Sequence, residues 1–270
     1  MSTSKENQGE PVFAAPVGVQ AYSFRNYFPI DLIGILDRIQ AMGITEIEGV
    51  PDKVDPVEFR KLCAERGMSN PSTGASFEEL QEDPMKVVET AKALGAKFVI
   101  CAWIPHPNRG EFSLSDADKA IEVFNIAGKI LKENGLTFCY HLHGYEFQPY
   151  KDGTLMDYIM ESTHPENVSF EMDVFWAQFG GGDPVALLRK YGERWKLLHL
   201  KDMKKGISKD LSGVTDVEYD VALGQGQLDI AGILKESREI GIAHYFIEDE
   251  SSAVMDQVPQ SIAYLTSLKY

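Results

Sequence analysis

The chain is short of positive charge. Its 270 residues carry 26 Lys and Arg against 41 Asp and Glu, a net charge of −15 and a pI near 4.8. Such a surface repels a phosphate backbone, so a nucleic-acid partner is not expected. Long apolar runs are also missing. None approaches the ~20 residues of a membrane-spanning helix, so no membrane span is expected. Cysteine is scarce. Cys63, Cys101 and Cys139 cannot all pair, no CxxC occurs, and two of the three sit in apolar strand-like runs, which argues against a disulfide framework. The phosphate-binding GxGxxG of an open doubly wound sheet is absent too. The first strand-like run is followed by Ser23-Phe24-Arg25-Asn26.

The first ten residues are polar and aperiodic, and residues 1–15 are expected to be a disordered tail. No signal peptide is written there. A trimmed export signal or lipid tether would leave such a tail, so both cytoplasm and periplasm stay open as compartments.

From residue 16 onward strand-like and helix-like segments alternate without a composition break. Strands are expected at 17–22, 44–48, 68–73, 97–103, 136–143, 168–173, 196–201 and 244–248. Helices are expected between them, several opened by Asp-Pro (Asp55-Pro56, Asp83-Pro84, Asp183-Pro184) and closed by Gly (Gly67, Gly95, Gly241). Eight β–α units in this length predict an α/β fold in which residues 16–270 form a single (β/α)8 TIM barrel. Long connections at 104–114 and 203–228 follow the fourth and seventh strands, on the side where barrel active sites are built. Both are lid candidates.

The chemistry lies at four strand ends. His141 and His143 stand two residues apart, as do Glu171 and Asp173, and His199 and Lys201; Glu248 ends the eighth strand. Residues two apart on a strand share a face, so the charged members would point inward and the apolar Phe170, Met172, Leu198 and Leu200 toward the helices. Unpaired charges inside a barrel are costly, and a bound cation resolves that cost. For any one residue the plainer alternative is a cap or a core hydrogen bond; the set of four favours a metal. Lys201 is the sharpest catalytic candidate, as a base of lowered pKa or as a clamp on an enolate, against a plain salt bridge to Glu171 or Asp173. Glu48, at the end of the second strand, is a second base candidate, against a pairing with Arg25 or Lys201. Trp103 and Trp176 are candidates for stacking on a sugar, with core packing the alternative, and His106, on a loop, for contacting substrate.

The stretches Gly18-Val19-Gln20-Ala21-Tyr22, Tyr140 to Phe147, Met172 to Trp176, Gly182-Asp183-Pro184, His199 to Asp202 and Leu223 to Asp229 occur in an order that resembles the sugar phosphate isomerase/epimerase family of xylose isomerase-like barrels. They are most similar to a branch with a His-Asn-His-x-x-Glu-Phe motif, which includes inosose dehydratases and 3-keto-sugar enzymes. Leu142 here replaces the Asn. The resemblance implies one divalent metal ion (Mn, Mg, Co or Zn) held by His141, Asp173, His199 and Glu248. In the family's ketose epimerases the first of these ligands is Glu, so the histidine is a departure, and His143 or Glu146 are alternative ligands. It also implies His143 as a catalytic residue, Gln20, Tyr22 and Glu146 as substrate contacts, a small carbohydrate as partner, and a homodimer as the assembly to look for. The implied reaction is proton abstraction beside a carbonyl of a sugar or keto-sugar, ending in isomerisation or epimerisation. Elimination by a lyase or dehydratase is the alternative, and a sugar-binding barrel without catalysis the reading of another class. A metal-dependent endonuclease of the same superfamily is disfavoured by the charge.

Overall fold

The computed structural model describes residues 13, 15–106 and 111–269. The expected tail lies outside the described residues except for Phe13 and Ala15, which pack on the barrel; the Phe13 ring meets Tyr245 edge-on at 5.3 Å.

Aspartate punctuates the chain. Asp31, Asp55, Asp83, Asp183 and Asp229 each accept backbone N–H groups at the start of a helix, and at three of these a proline follows at the first helical position, where its missing N–H costs nothing. Two of these helices end at Gly95 and Gly241, whose positive φ of 85° and 80° lets the chain reverse toward the next strand. The helices are α1 (Leu32–Ala41), α2 (Pro56–Ala64), α3 (Phe77–Glu82), α4 (Pro84–Leu94), α5 (Leu114–Glu133), α6 (Leu155–Ser162), α7 (Val174–Phe179), α8 (Pro184–Tyr191), α9 (Ile230–Ile240) and α10 (Val254–Ser267). The sequence reading had not separated the short α3 and α7.

Between them run eight parallel strands: β1 (Gly18–Gln20), β2 (Glu46–Glu48), β3 (Ser72–Gly74), β4 (Phe98–Cys101), β5 (Thr137–His141), β6 (Val168–Asp173), β7 (Trp195–Leu200) and β8 (His244–Ile247). Their spatial order is β2-β1-β8-β7-β6-β5-β4-β3. The ring closes where Ile47 N donates to Ser69 O at 2.9 Å and Gly49 N to Ser72 O at 3.0 Å. This is the expected (β/α)8 barrel. Several strands are shorter than the sequence suggested because their C-terminal ends curl away. The 3-10 turn Ala21–Phe24 takes Tyr22 out of the wall, whereas β6 keeps its expected bounds and α7 follows it at once, capped by Asp173.

Register brings the polar strand ends together. Gln20 pairs with Glu48, His141 with Glu171, and Asp173 with His199. One layer below, Ile100, Cys139, Leu197 and Phe246 form an apolar cluster apart from the main core between strands and helices. The inward layer is therefore dry beneath and ionisable above. The long segment after β7 folds back on itself, Asp202–Met203 pairing antiparallel with Asp220–Val221. All three cysteines are buried and unpaired. Among the described residues no helix is long and apolar enough to cross a membrane.

Candidate active site

Asp173 occupies the last position of β6 and the N-cap of α7. Its Oδ1 accepts Phe175 N at 2.8 Å and Trp176 N at 3.0 Å. Its Oδ2 is fully buried and has no hydrogen-bond partner among the described residues, lying 3.9 Å from both His141 Nε2 and His199 Nδ1. Ligand atoms of His141, Asp173 and His199 all lie within 4.8 Å of one another. Glu248 Oε2 sits 3.4 Å from His199 Nδ1. An orphaned carboxylate oxygen facing two imidazoles, with a second carboxylate beside them, is a donor set suited to a divalent ion.

The outer face of each imidazole meets another carboxylate. Glu171 Oε2 is 2.8 Å from His141 Nδ1, and Glu48 Oε1 is 2.6 Å from His199 Nε2. Such pairing fixes ring orientation and tautomer in metal-ligating histidines. Glu48 is itself held by Gln20 Nε2 at 2.7 Å and by the Ser72 hydroxyl. Burial, reinforced by the Glu48 charge, pushes the Glu171 carboxyl well above the usual range. Burial opposes charge on His199, yet Glu171 and Glu48 outweigh it and raise that imidazole. His141 is driven down by burial and by its neighbours His199 and His143.

Lys201 is 2% exposed, 2.7 Å from Glu250 Oε1, 3.3 Å from Glu248 Oε2 and 3.5 Å from Asp220 Oδ2. Burial works against its charge, but Asp220, Glu248 and Glu250 overcome it and hold the ammonium well above its usual value. This corrects the expectation of a lysine poised to lose its proton. It also relocates its ion pairs from Glu171 and Asp173 to Glu250, Glu248 and Asp220.

A cavity of about 1280 Å³ opens above these groups, lined in part by Gln20, Tyr22, Trp103, His143 and Trp176. His143 stacks on Trp176 at 5.2 Å and meets Trp103 edge-on at 5.7 Å. Burial lowers it to about 4, and its Nδ1 has no partner among the described residues. Tyr22 stands at the rim, 54% exposed, with the Arg25 guanidinium 4.2 Å above its ring. Val214, Thr215 and Val217 bring the segment after β7 to the cavity wall, while residues 107–110 of the loop after β4 lie outside the described residues.

Two expected substrate contacts stand elsewhere. Glu146 is fully buried and outside the described cavity lining. Its Oε1 accepts from the Tyr140 hydroxyl and from His143 N at 2.9 Å. It is not among the residues whose ligand atoms cluster with those of His141. The positive φ of 87° at Gly144 turns the chain, and spacing alone does not reveal that. His106 stacks on Trp103 at 5.1 Å, bonds through Nδ1 to Ile104 O at 2.8 Å, and does not line the described cavity. The sequence reading gave no ligand-orienting part to Glu171 and overlooked Ser72, Asp220 and Glu250. The even spacing from Glu171 to Asp173 carried a signal for the first; Asp220, brought in by a loop, carried none.

Comparison with known proteins agrees with this architecture. A family model described as xylose isomerase-like TIM barrel matches residues 36–268. An inosose dehydratase of Bacillus cereus is 27% identical over an alignment of 189 residues that covers 65% of this chain and 62% of that protein. The match thus takes in less than two thirds of that relative's length. A sugar phosphate isomerase/epimerase from Parabacteroides distasonis superposes with a TM-score of 0.78 at 24% identity, covering 98% of this chain and 96% of the other. The IOLI protein, solved with a zinc atom, superposes with a TM-score of 0.70 at 15% identity over 93% of this chain and 95% of that one. These likenesses to solved structures show the fold. With the family model spanning β2 to α10 and the barrel closed around an inward ring of ionisable groups, the chain belongs to the xylose isomerase-like TIM barrel family.

Proposed function

We propose that this chain is a divalent-metal-dependent enzyme that abstracts a proton beside a carbonyl of a sugar or keto-sugar. The observation that carries the reading is the unpartnered Asp173 Oδ2 facing His141 and His199. His141, Asp173, His199 and Glu248 would hold the ion. When bound, it would act as a Lewis acid on the substrate's oxygens.

The chain's own groups divide the remaining work. His143, neutral near pH 7 and with Nδ1 unengaged, is placed to take a proton. Lys201, kept cationic by its three carboxylates, donates to an oxygen on which negative charge develops. Glu48 and Glu171 would orient the two ligand imidazoles, the role proposed for Glu48 in place of the expected base chemistry. Trp103 and Trp176 give the substrate flat apolar walls.

The same first step serves isomerisation, epimerisation and elimination. A symmetric two-base epimerisation wants a carboxylate on each face of the substrate; here the first ligand position is His141, already bonded to Glu171. A permanent cation such as Lys201 suits a departing oxygen. Elimination on a keto-sugar or keto-cyclitol is therefore favoured, in keeping with the name of the inosose dehydratase relatives.

Elemental analysis of wild type and Asp173→Ala tests the metal: about one ion per chain is expected in the first and almost none in the second. Equal contents would remove the claim. Incubating the metal-loaded protein with keto-sugars in heavy water tests the chemistry. Deuterium entering the carbon beside the carbonyl, or an unsaturated product, is expected. A ligand-induced thermal shift with neither would mark a sugar-binding barrel instead.

A further inference from the structure

We infer that the substrate is an uncharged sugar or keto-sugar, not a sugar phosphate, because the protein's own carboxylates occupy the places where a barrel of this type would hold a phosphate. The inference rests on the proposed sugar chemistry and narrows its substrate class.

Barrel enzymes that take phosphorylated substrates commonly seat the phosphate on backbone N–H groups of the loops after the seventh and eighth strands. In this chain those donors are spoken for. After β7, the 1%-exposed Asp202 accepts Gly224 N and Gly226 N on Oδ2, both at 2.9 Å, and Met203 N and Leu228 N on Oδ1 at 2.8 and 3.1 Å. These four N–H groups are therefore not free to receive an external anion. After β8, Glu250 N donates to Asp220 Oδ2 at 2.8 Å, Ser251 N to Asp249 Oδ1 at 2.9 Å and Ser252 N to Glu218 Oε1 at 2.9 Å. The approach to α10 is closed to an external anion in the same manner.

The cations are engaged as well. Lys201 is encircled by Glu248, Glu250 and Asp220. Arg25 lies 3.4 Å from Glu250 Oε2 and donates to Tyr22 O at 3.0 Å. Among the described residues the cavity lining carries seven carboxylates and three cations, the third being Lys53 at the exposed rim. A phosphoryl group of about −1.5 to −2 charges approaching Lys201 or Arg25 would meet the Glu250 carboxylate that already pairs with both. A neutral sugar pays no such penalty, and its hydroxyls can donate to the carboxylates.

The test compares matched pairs on the metal-loaded protein by calorimetry and thermal shift: D-fructose with D-fructose 6-phosphate, and D-ribulose with D-ribulose 5-phosphate. Wild type, Glu250→Gln and Asp220→Asn are measured side by side. Both substitutions keep side-chain shape, so at least one folded variant is expected. Any contact between phosphate and metal is common to all three proteins and cancels. In wild type each ester should bind at least about tenfold more weakly than its parent, or not at all. Relative to the matched parents, Glu250→Gln should gain about tenfold for the esters, the effect of removing one charge at short range, and Asp220→Asn, whose carboxyl burial raises to about 8, a smaller gain. An ester that binds wild type more tightly than its parent overturns the inference. So does a folded variant whose ester affinity stays at the wild-type level, even where no parent sugar binds. Failure of the metal reading would show separately, as absence of a bound ion.

Discussion

Individual side chains here carry two duties, and Glu146 makes this measurable. It is fully buried, and burial raises its carboxyl from 4.5 to about 7, although Tyr140 and the His143 amide favour its charged form. Between about pH 4.5 and pH 7 the folded protein keeps this proton while the unfolded chain releases it. The folded state binds more protons in that window, so stability falls as pH rises through it, by about 3 kcal/mol in all for a single group of this shift. Glu146→Gln abolishes the titration. Denaturant unfolding at pH 5 and pH 8 should show the variant gaining on wild type as pH rises; a constant difference would contradict the assignment. The family resemblance paired Glu146 with the cavity through its place in the His-x-His-x-x-Glu-Phe motif. The positive φ at Gly144 instead sends it toward Tyr140. Asp173 and His199 were readable because alternation on a strand decides their face. That Glu171 serves His141 was not, since register between neighbouring strands is a property of two segments together.

At the scale of elements, boundaries marked by Asp-Pro and Gly were legible, and those set by tertiary contact were not. Helix α7 has no Asp-Pro at its start, although Gly180 caps its end. It starts because Asp173 caps it, the plainer alternative for a residue that the set of strand ends marked as a ligand. Tight packing of helices on strands also reverses a propensity rule. Gly128 lies in the middle of α5, where Ala would ordinarily stabilise a helix by about 1 kcal/mol. An added Cβ there would run into the backbone carbonyl of Asn167, just before β6. Gly128→Ala should therefore destabilise, by roughly 1–3 kcal/mol, as overpacking against an unyielding backbone does. A rise in the midpoint of thermal unfolding would show that α5 can move off the barrel more easily than its packing suggests.

For the whole molecule, eight alternating units in 270 residues were enough to anticipate a closed barrel, because few other folds use that length and order. What the alternation could not convey was that the seventh and eighth loops fold onto their own carboxylates. The proposed metal site would also make global stability responsive to a ligand. Zinc or manganese bound to the folded chain alone, at 100 times its dissociation constant, should add about 2.7 kcal/mol. Melting curves with and without the ion should separate by roughly 5 °C or more, and a chelator should restore the lower curve. An unchanged midpoint in Asp173→Ala would tie the gain to the barrel mouth rather than to the acidic surface.

One oxygen of Asp173 is committed to two amides of α7 while the other is left bare. The helix therefore acts as a splint. The carboxylate cannot swing to relieve its isolation, so it waits in the orientation an arriving cation would require. Capture then costs little ordering of that side chain, and the helix that holds Asp173 also carries Trp176, the wall on which His143 rests. One short helix thus fixes both the proposed ligand and one wall of the cavity.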